Sequence, residues 1–531
     1  MDDTASLTLP TLPTDLSICH AMIAQLVDQL QKSHRAIGQL EHQLQQLLRR
    51  MYGRSSETLD PSQMALFTEV LQQLQAAQPP AMEPVAKSAI ATPSAVTGHG
   101  RRRLPADLPR VRIEHDLPEA QKPCPCCGKL RKCIGEEVSE QLEYVPAKVT
   151  VLQHVRLKYA CAVCEQNAQS PQITTADKPL GPIDKGLAGP GLLAYVIVSK
   201  YGDHLPLHRI ERILGRHDID VARSTMCDWA AQSAQALRPL YELMVKEVVA
   251  SRVIHTDDTP VDVLDRKLKQ TRTGRFWVYL GDKTHPFNVF TYTRNRTRDG
   301  PMNFLRGWGK ERRVYLQADA FGGYDGIYAA KAGGGVTEVA CWAHARRKFF
   351  DARTSDVSRS TAALAHIRLL YDVEDQAREL APDQRATLRQ QLATPRLLQF
   401  KHWLEQQQAI RGGDVLPKSP MGQAITYALN QWDALSVYVT DGDLAIDNNP
   451  SENALRRVAL GRKNWLFCGS DAGGDTAAIL FTFIATCQRR NVEPFAYLRD
   501  TLTRIAEHPL CRLAELLPGA TSTSLVTHGL D

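Results

Sequence analysis

The chain has 531 residues, 43% hydrophobic and 23% charged, the balance of a soluble globular protein long enough for several domains. Its net charge of +6 suits a nucleic-acid partner without requiring one, and twelve cysteines over this length exclude a disulfide-built scaffold. No apolar run approaches the roughly 18–20 residues of a membrane span, and the acidic start MDDTASLTLPTLPTD lacks the apolar core of a secretory signal. A reducing, cytoplasmic setting is expected.

Residues 21–51 are expected to form one helix. Ile23, Leu30, Ile37, Leu44 and Met51 fall at a positions, with Leu26, Ser33, Leu40 and Leu47 at d. Alternating steps of three and four hold one seam towards a partner helix, so a dimerising coiled coil is expected within 1–76. Residues 77–100 are rich in Pro, Ala, Ser and Thr without a period, and are read as a linker. It leads into Arg101, Arg102 and Arg103, a Gly-flanked basic run suited to phosphates or a minor groove. A solvated basic turn is the plainer alternative.

Residues 101–180 carry the pairs Cys124-x-x-Cys127 and Cys161-x-x-Cys164. Two such turns supply four thiolates, the closed tetrahedron of structural Zn²⁺. The intervening SEQLEYVPAKVTVLQHVRLKYAC alternates like a β-hairpin that returns the second pair to the first, a zinc-ribbon-like arrangement. Cys126 and Cys133 are surplus and available as substitute ligands. In the helical segment 181–250, LHRIERILGRH, DID and VARSTMCDWAAQ read as helix, turn and helix. Arg223 and Ser224 open the second helix and are placed to meet DNA, while Trp229 is expected inside. Simple helix packing is the rival reading.

From residue 251 the period changes. ASRVIHTDDTPV, RFWVYLGD and PFNVFTYT read as a three-strand meander. A helix around MNFLRGW, a strand VYLQADA, a helix YDGIYAA and a strand TEVACWAHA follow. This order matches a ribonuclease H-like α/β core, in which acids from the first and fourth strands stand side by side and a later helix brings a third. Asp257 and Asp319 end the two strands. Glu452 lies in the first turn of IDNNPSENALRRVALGRKNWLF, with Asn449 as cap and Pro450 at the first helical position. The stretch between Asp319 and Glu452 exceeds a compact core. Residues 351–439 are therefore read as a helical insertion between the parts 251–350 and 440–505, with 506–531 as a tail. Three clustered carboxylates repel one another without metal. As hard oxygen ligands they suit two Mg²⁺ (or Mn²⁺) ions, which serve in-line displacement at phosphorus. Arg456, Arg457, Arg462 and Lys463 follow Glu452 and are candidates for phosphate contact.

The stretches LRRMYGRSSE, LPADLPRVRIEHDLPE, CPCCG with CAVC, IHTDDTPV, TGRFWVYLGD, LQADAFGGYDGIY, CWAHARRKFFDA, LPKSPMGQAITYALNQW and DNNPSENALRRVALGRKNWLFCGS run through most of the chain. In that order they resemble the large transposase subunit of the bacterial insertion-sequence-sixty-six family. The resemblance implies a multidomain α+β protein with a leucine-zipper-like N-terminus, a zinc-finger DNA-binding segment and a DDE catalytic core. It carries Asp257, Asp319 and Glu452 over as catalytic acids. It further implies DNA as partner (terminal inverted repeats and target), accessory proteins encoded in the same element, and work at the bacterial nucleoid. The family has Glu after the first catalytic Asp, and this chain has Asp258. Adjacent strand residues face opposite sides, so one of the two binds metal, and Asp257 is chosen. Cys341-x-x-His344 is expected to close the fifth strand, either as a second zinc site or as packing against the insertion. A ribonuclease H-like DNA nuclease and a catalytically silent DNA-binding protein are the rival functions.

Overall fold

The computed structural model describes residues 17–30, 32–33, 37, 61–76, 149–159, 174–175, 180–183 and 186–520, except 266, 268, 329–334 and 410–414. The expected zinc-ribbon cysteines, the Arg101–Arg103 run and the linker lie outside these residues. The described residues within 1–77 and 152–531 belong to one unit.

At its centre is a mixed sheet. Strand β1 (Val253–Asp265) pairs antiparallel with β2 (Gln270–Leu280), and β2 pairs antiparallel with β3 (Asn288–Thr293). On its other side β1 pairs parallel with β4 (Arg313–Gln317), which pairs parallel with β5 (Gly335–Val339). The spatial order is β3-β2-β1-β4-β5. Phe467 and Cys468 add a two-residue strand beside the far end of β1, opposite Asp262 and Val263. All five expected strands form, but the fifth is shorter than its sequence suggested. Beyond Val339, the amide of Ala340 donates to the Ala434 carbonyl and that of Trp342 to the Ile446 carbonyl. The backbone thereby leaves the sheet for the helices, and Cys341 caps a helix instead of closing a strand.

Two apolar cores flank the sheet. The first joins it to α2 (Pro190–Ile197), α3 (Leu207–Gly215), α4 (Arg223–Ala250) and α10 (Asp471–Arg489). Tyr201, Phe276 and Phe290 there surround Phe481 edge-on or tilted, with centroids 5.2–6.0 Å away. The segment expected to be a helix-turn-helix does contain two helices. The second runs 28 residues and buries Met226, Trp229, Leu237 and Met244 against the sheet's own core. Burying such side chains stabilises by about 1.5–3 kcal/mol each, so this helix is a wall of the sheet unit.

The second core gathers α5 (Trp342–Ala352), α6 (Val357–Ala377), α7 (Thr394–Ala409) and α8 (Pro420–Asn430) around Trp342, Phe349, Phe400 and Trp432. Val253, Tyr315 and Val339 of the sheet join it. An N-terminal helix, α1 (Pro61–Ala76), packs on α6, with Phe67 against this core. Further upstream, residues 17–30 are helical and the seam positions Ile23, Leu26 and Leu30 are exposed.

Strand β3 ends the sheet on one side, where its outward amides need partners. Thr486 and Thr482 of α10 supply them. The amides of Asn288 and Phe290 donate to their hydroxyl oxygens at 3.1 and 2.9 Å. The Thr486 hydroxyl donates in turn to the Asn288 carbonyl, and that of Thr482 to the Ala478 carbonyl of its own helix.

Candidate active site

The parallel pairing of β1 with β4 sets the first two acids. The last paired residues are His255 and Gln317. Two residues further along each strand's path stand Asp257 and Asp319. Sheet register alone therefore brings them level.

The third acid arrives on α9 (Asn449–Trp465), with Glu452 in its first turn. Residues 445–448 are fastened to three elements before that helix begins. Gln317, fully buried, donates from Nε2 to the carbonyls of Ala445 and Asp447 at 2.7 and 3.0 Å. Asn448, at 0% exposure, donates from Nδ2 to the Thr256 carbonyl at 2.8 Å. Its Oδ1 therefore faces His255 Nδ1 at 3.1 Å as an acceptor, which places the imidazole proton on Nδ1. Burial pushes His255 down to about 4, so the ring is neutral. The Asn448 amide donates to Cys341 Sγ at 3.2 Å. Asn448, not Asn449, takes the cap position, but its side chain is committed to β1. Asp447 instead accepts from the Asn449 amide at 3.2 Å and from its side chain at 2.8 Å.

Asp257 and Asp258 have opposite surroundings. Asp258 has a side chain at 0% exposure, 2.9 Å from Arg275 and 2.8 Å from Arg296. Asp257 accepts one amide bond, from Asp258 at 2.7 Å. Burial, with the charges of Asp319, Asp258 and Glu452, pushes its carboxyl up to about 7. Burial also raises Asp319, with Asp258 adding to the shift and Arg296 opposing it. Arg296 lies 3.3 Å from Asp319 and is stacked 4.1 Å over the Phe321 ring. Asp319 Oδ1 is buried without a hydrogen-bond partner. An orphaned carboxylate oxygen next to a carboxyl that holds its proton to neutrality is what a divalent cation relieves, so the donor set fits metal.

The other expected site residues are dispersed. Arg223 pairs with Glu211 of α3 at 3.4 Å, and Ser224 is exposed beside it. Arg456 and Lys463 are exposed on α9. Arg462 donates to Thr259 Oγ1 at 3.0 Å and to the Pro260 carbonyl, binding α9 to β1. Arg457 lies half-buried in a cleft of about 700 Å³ with Arg252, His255, Asn453 and Gln488. Burial lowers its pKa. That cleft holds none of the three acids. Sequence reasoning missed Arg275, Arg296, Gln317 and Asn448. The pair Asn448-Asn449 before Pro450 was visible, but not which asparagine turns inward.

Comparison with known proteins gives the family. Residues 185–476 match the profile described as Transposase IS66 family, and residues 482–518 match the IS66 C-terminal element. Residues 121–165 match the zinc-finger binding domain of transposase IS66, and residues 39–113 match the profile named Transposase C of IS166 homeodomain. Three relatives come from Sinorhizobium fredii, all carried as uncharacterized proteins. The one designated y4hP is 33% identical over 82% of this chain and 80% of its own length. That designated y4qI is 33% identical over 79% and 77%. That designated y4jD is 30% identical over 95% and 98%. The chain belongs to the IS66 transposase family.

Proposed function

We propose that this transposase is of the DDE type, with Asp257, Asp319 and Glu452 as its catalytic acids on a ribonuclease H-like core. The observation that carries the reading is the meeting of Asp257, within β1, and Asp319, just past the end of β4, with a helix-borne third acid, where burial and neighbouring carboxylates raise both aspartates. The strand order, an antiparallel meander followed by parallel β4 and β5, supports the core assignment. When bound, two Mg²⁺ or Mn²⁺ ions supply Lewis acidity and neutralise charge on the attacking and leaving oxygens. The chain's part is positional. Asp257 and Asp319 hold their carboxylates on a rigid sheet, and Asn448 and Gln317 fix the approach of the Glu452 helix. Arg296 holds Asp258 away from the ions and orients one oxygen of Asp319.

The same reading places a structural Zn²⁺ on Cys124, Cys127, Cys161 and Cys164. It gives Arg101, Arg102, Arg103, Arg223, Ser224, Arg456, Arg457 and Lys463 phosphate contacts, with Arg462 bracing the helix that presents them. The exposed seam at Ile23, Leu26 and Leu30 pairs two or more copies through residues 21–51. Small accessory proteins of the same element complete the assembly.

The test is strand transfer with purified protein, Mg²⁺ and labelled ends of its own element, comparing wild type with Asp319→Asn. Wild type should join ends to target, and the variant should lose at least about 10³-fold, or ~4 kcal/mol of barrier. Equal activity in both would sink the three-acid site. Cleavage without joining would make the protein a nuclease.

A further inference from the structure

Cys341 and His344 have no part in the site proposed above, yet both meet one of its acids. Single ligand atoms of Cys341, His344 and Glu452 all lie within 4.8 Å of one another. His344 Nδ1 is 3.7 Å from Glu452 Oε1. Donors around a tetrahedral zinc, at about 2.0–2.1 Å for nitrogen or oxygen and about 2.3 Å for sulfur, stand roughly 3.3–3.8 Å apart. A closure of about 1 Å would seat such an ion. His344 Nδ1 is buried and has no hydrogen-bond partner. The three residues stand on well-anchored backbone. Cys341 caps α5, His344 lies in that helix's first turn, and Glu452 lies in the first turn of α9.

We propose that Cys341, His344 and Glu452 bind a thiophilic divalent cation of the zinc class, next to the DDE acids and distinct from both the ribbon zinc and the two hard ions. A sulfur, an imidazole and one carboxylate oxygen form a set that disfavours Mg²⁺ and suits Zn²⁺. Binding expels the thiol proton to solvent, and the resulting thiolate and carboxylate balance the ion's two charges. Three protein ligands leave a fourth position for water. The ion holds Glu452 by Oε1 and leaves its second oxygen for the hard ions. The site rests on the DDE reading only in sharing that residue.

Cobalt(II) is the probe, because its bond to a thiolate absorbs in the near ultraviolet. The full-length protein is stripped with chelator, titrated with Co²⁺, and assayed by elemental analysis and absorption as wild type, Cys341→Ser and His344→Ala. Wild type should hold one cobalt equivalent more than either variant. One thiolate's share of the near-ultraviolet band should be missing in Cys341→Ser. His344→Ala, altered at a partly exposed side chain, guards against misfolding of the serine variant and should bind that equivalent at least tenfold more weakly. Asp319→Asn should keep the thiolate band while strand transfer is lost, so the two readings fail separately. Equal cobalt content and superimposable near-ultraviolet spectra in wild type and both variants would overturn the proposal.

Discussion

In the helical core around Phe400, Arg389 is almost wholly enclosed, yet its guanidinium is well satisfied. Glu374 accepts from it twice, at 2.8 and 2.6 Å, and the carbonyls of Tyr438 and Asp441 accept at 2.9 and 3.0 Å. On the central strand β1 and just beyond β4, Asp257 and Asp319 are half-buried. Neighbouring carboxylates raise both, Arg296 meets one oxygen of Asp319 at 3.3 Å, and the other oxygen has no partner. The same contrast recurs between neighbours, since Asp258 is paired with two arginines and Asp257 with none. Buried charge that is matched serves structure. Buried charge left partly unmatched, as at Asp257 and Asp319, is what a bound cation would relieve.

The sharpest way to break this comparison is Glu374→Ala. It would strand the Arg389 charge in the helical core and should cost about 3–5 kcal/mol in urea unfolding. A loss under ~1 kcal/mol would mean that the pairing is not what keeps Arg389 inside. Next is Asn448→Ala, which orphans the Thr256 carbonyl and His255 Nδ1. We expect about 2–3 kcal/mol of destabilisation. Strand transfer should fall further than stability accounts for, because the Glu452 helix loses its strut. Unchanged joining at a temperature where the variant is fully folded would remove Asn448 from the positioning set.

Asp257→Asn should have the opposite sign. A carboxyl that keeps its proton to about pH 7 when folded, against 3.8 unfolded, stabilises the native state fully below pH 3.8. That contribution is lost as the pH rises through 7. The metal-free variant should therefore be more stable than wild type at pH 8, by about 2 kcal/mol. The shift of about three units, at ~1.4 kcal/mol each, sets the ceiling near ~4 kcal/mol. The gain should vanish near pH 4, and saturating Mg²⁺ should reverse the order at pH 8. Equal melting at both pH values would show that the acids are solvated. The smallest effect belongs to the basic face. Arg457→Gln should weaken binding of any duplex about equally and reduce the slope of log affinity against log salt by about one. No change in slope would leave that cleft outside the DNA path.

Much of this site was legible because β-sheet register is a short-range rule. The expected ribonuclease H-like order set the strands of VIHTDD and VYLQAD side by side, and their parallel pairing puts Asp257 and Asp319 each two residues past the same paired rung. Glu452 followed from Asn-Asn-Pro, a strong start signal for a helix. What escaped reading was the wiring by hydrogen bonds distant in sequence. Nothing local distinguishes Asn448, which turns into β1, from Asn449, which stays with its own turn. Nothing before Arg296 announces that it reaches Asp258. The fifth strand was overextended for a similar reason. The apolar run through Cys341 and Trp342 continues past Val339, but its backbone bonds go to Ala434 of the helix 432–436 and to Ile446 in the loop before α9. The periodic character of 223–250 gave a helix correctly, while its burial against the sheet depended on partners the local pattern does not name.

The threonines of α10 have a consequence for how copies of this protein meet. A sheet whose terminal strand offers free amides invites a second sheet to continue it, which is a common route to aggregation. Thr482 and Thr486 occupy the outward amides of β3 at Asn288 and Phe290. Growth of the sheet in that direction would have to displace two buried hydroxyls from their bonds. Copies of this chain brought together at high local concentration therefore find no free β3 amides at these two positions through which to zip into one sheet.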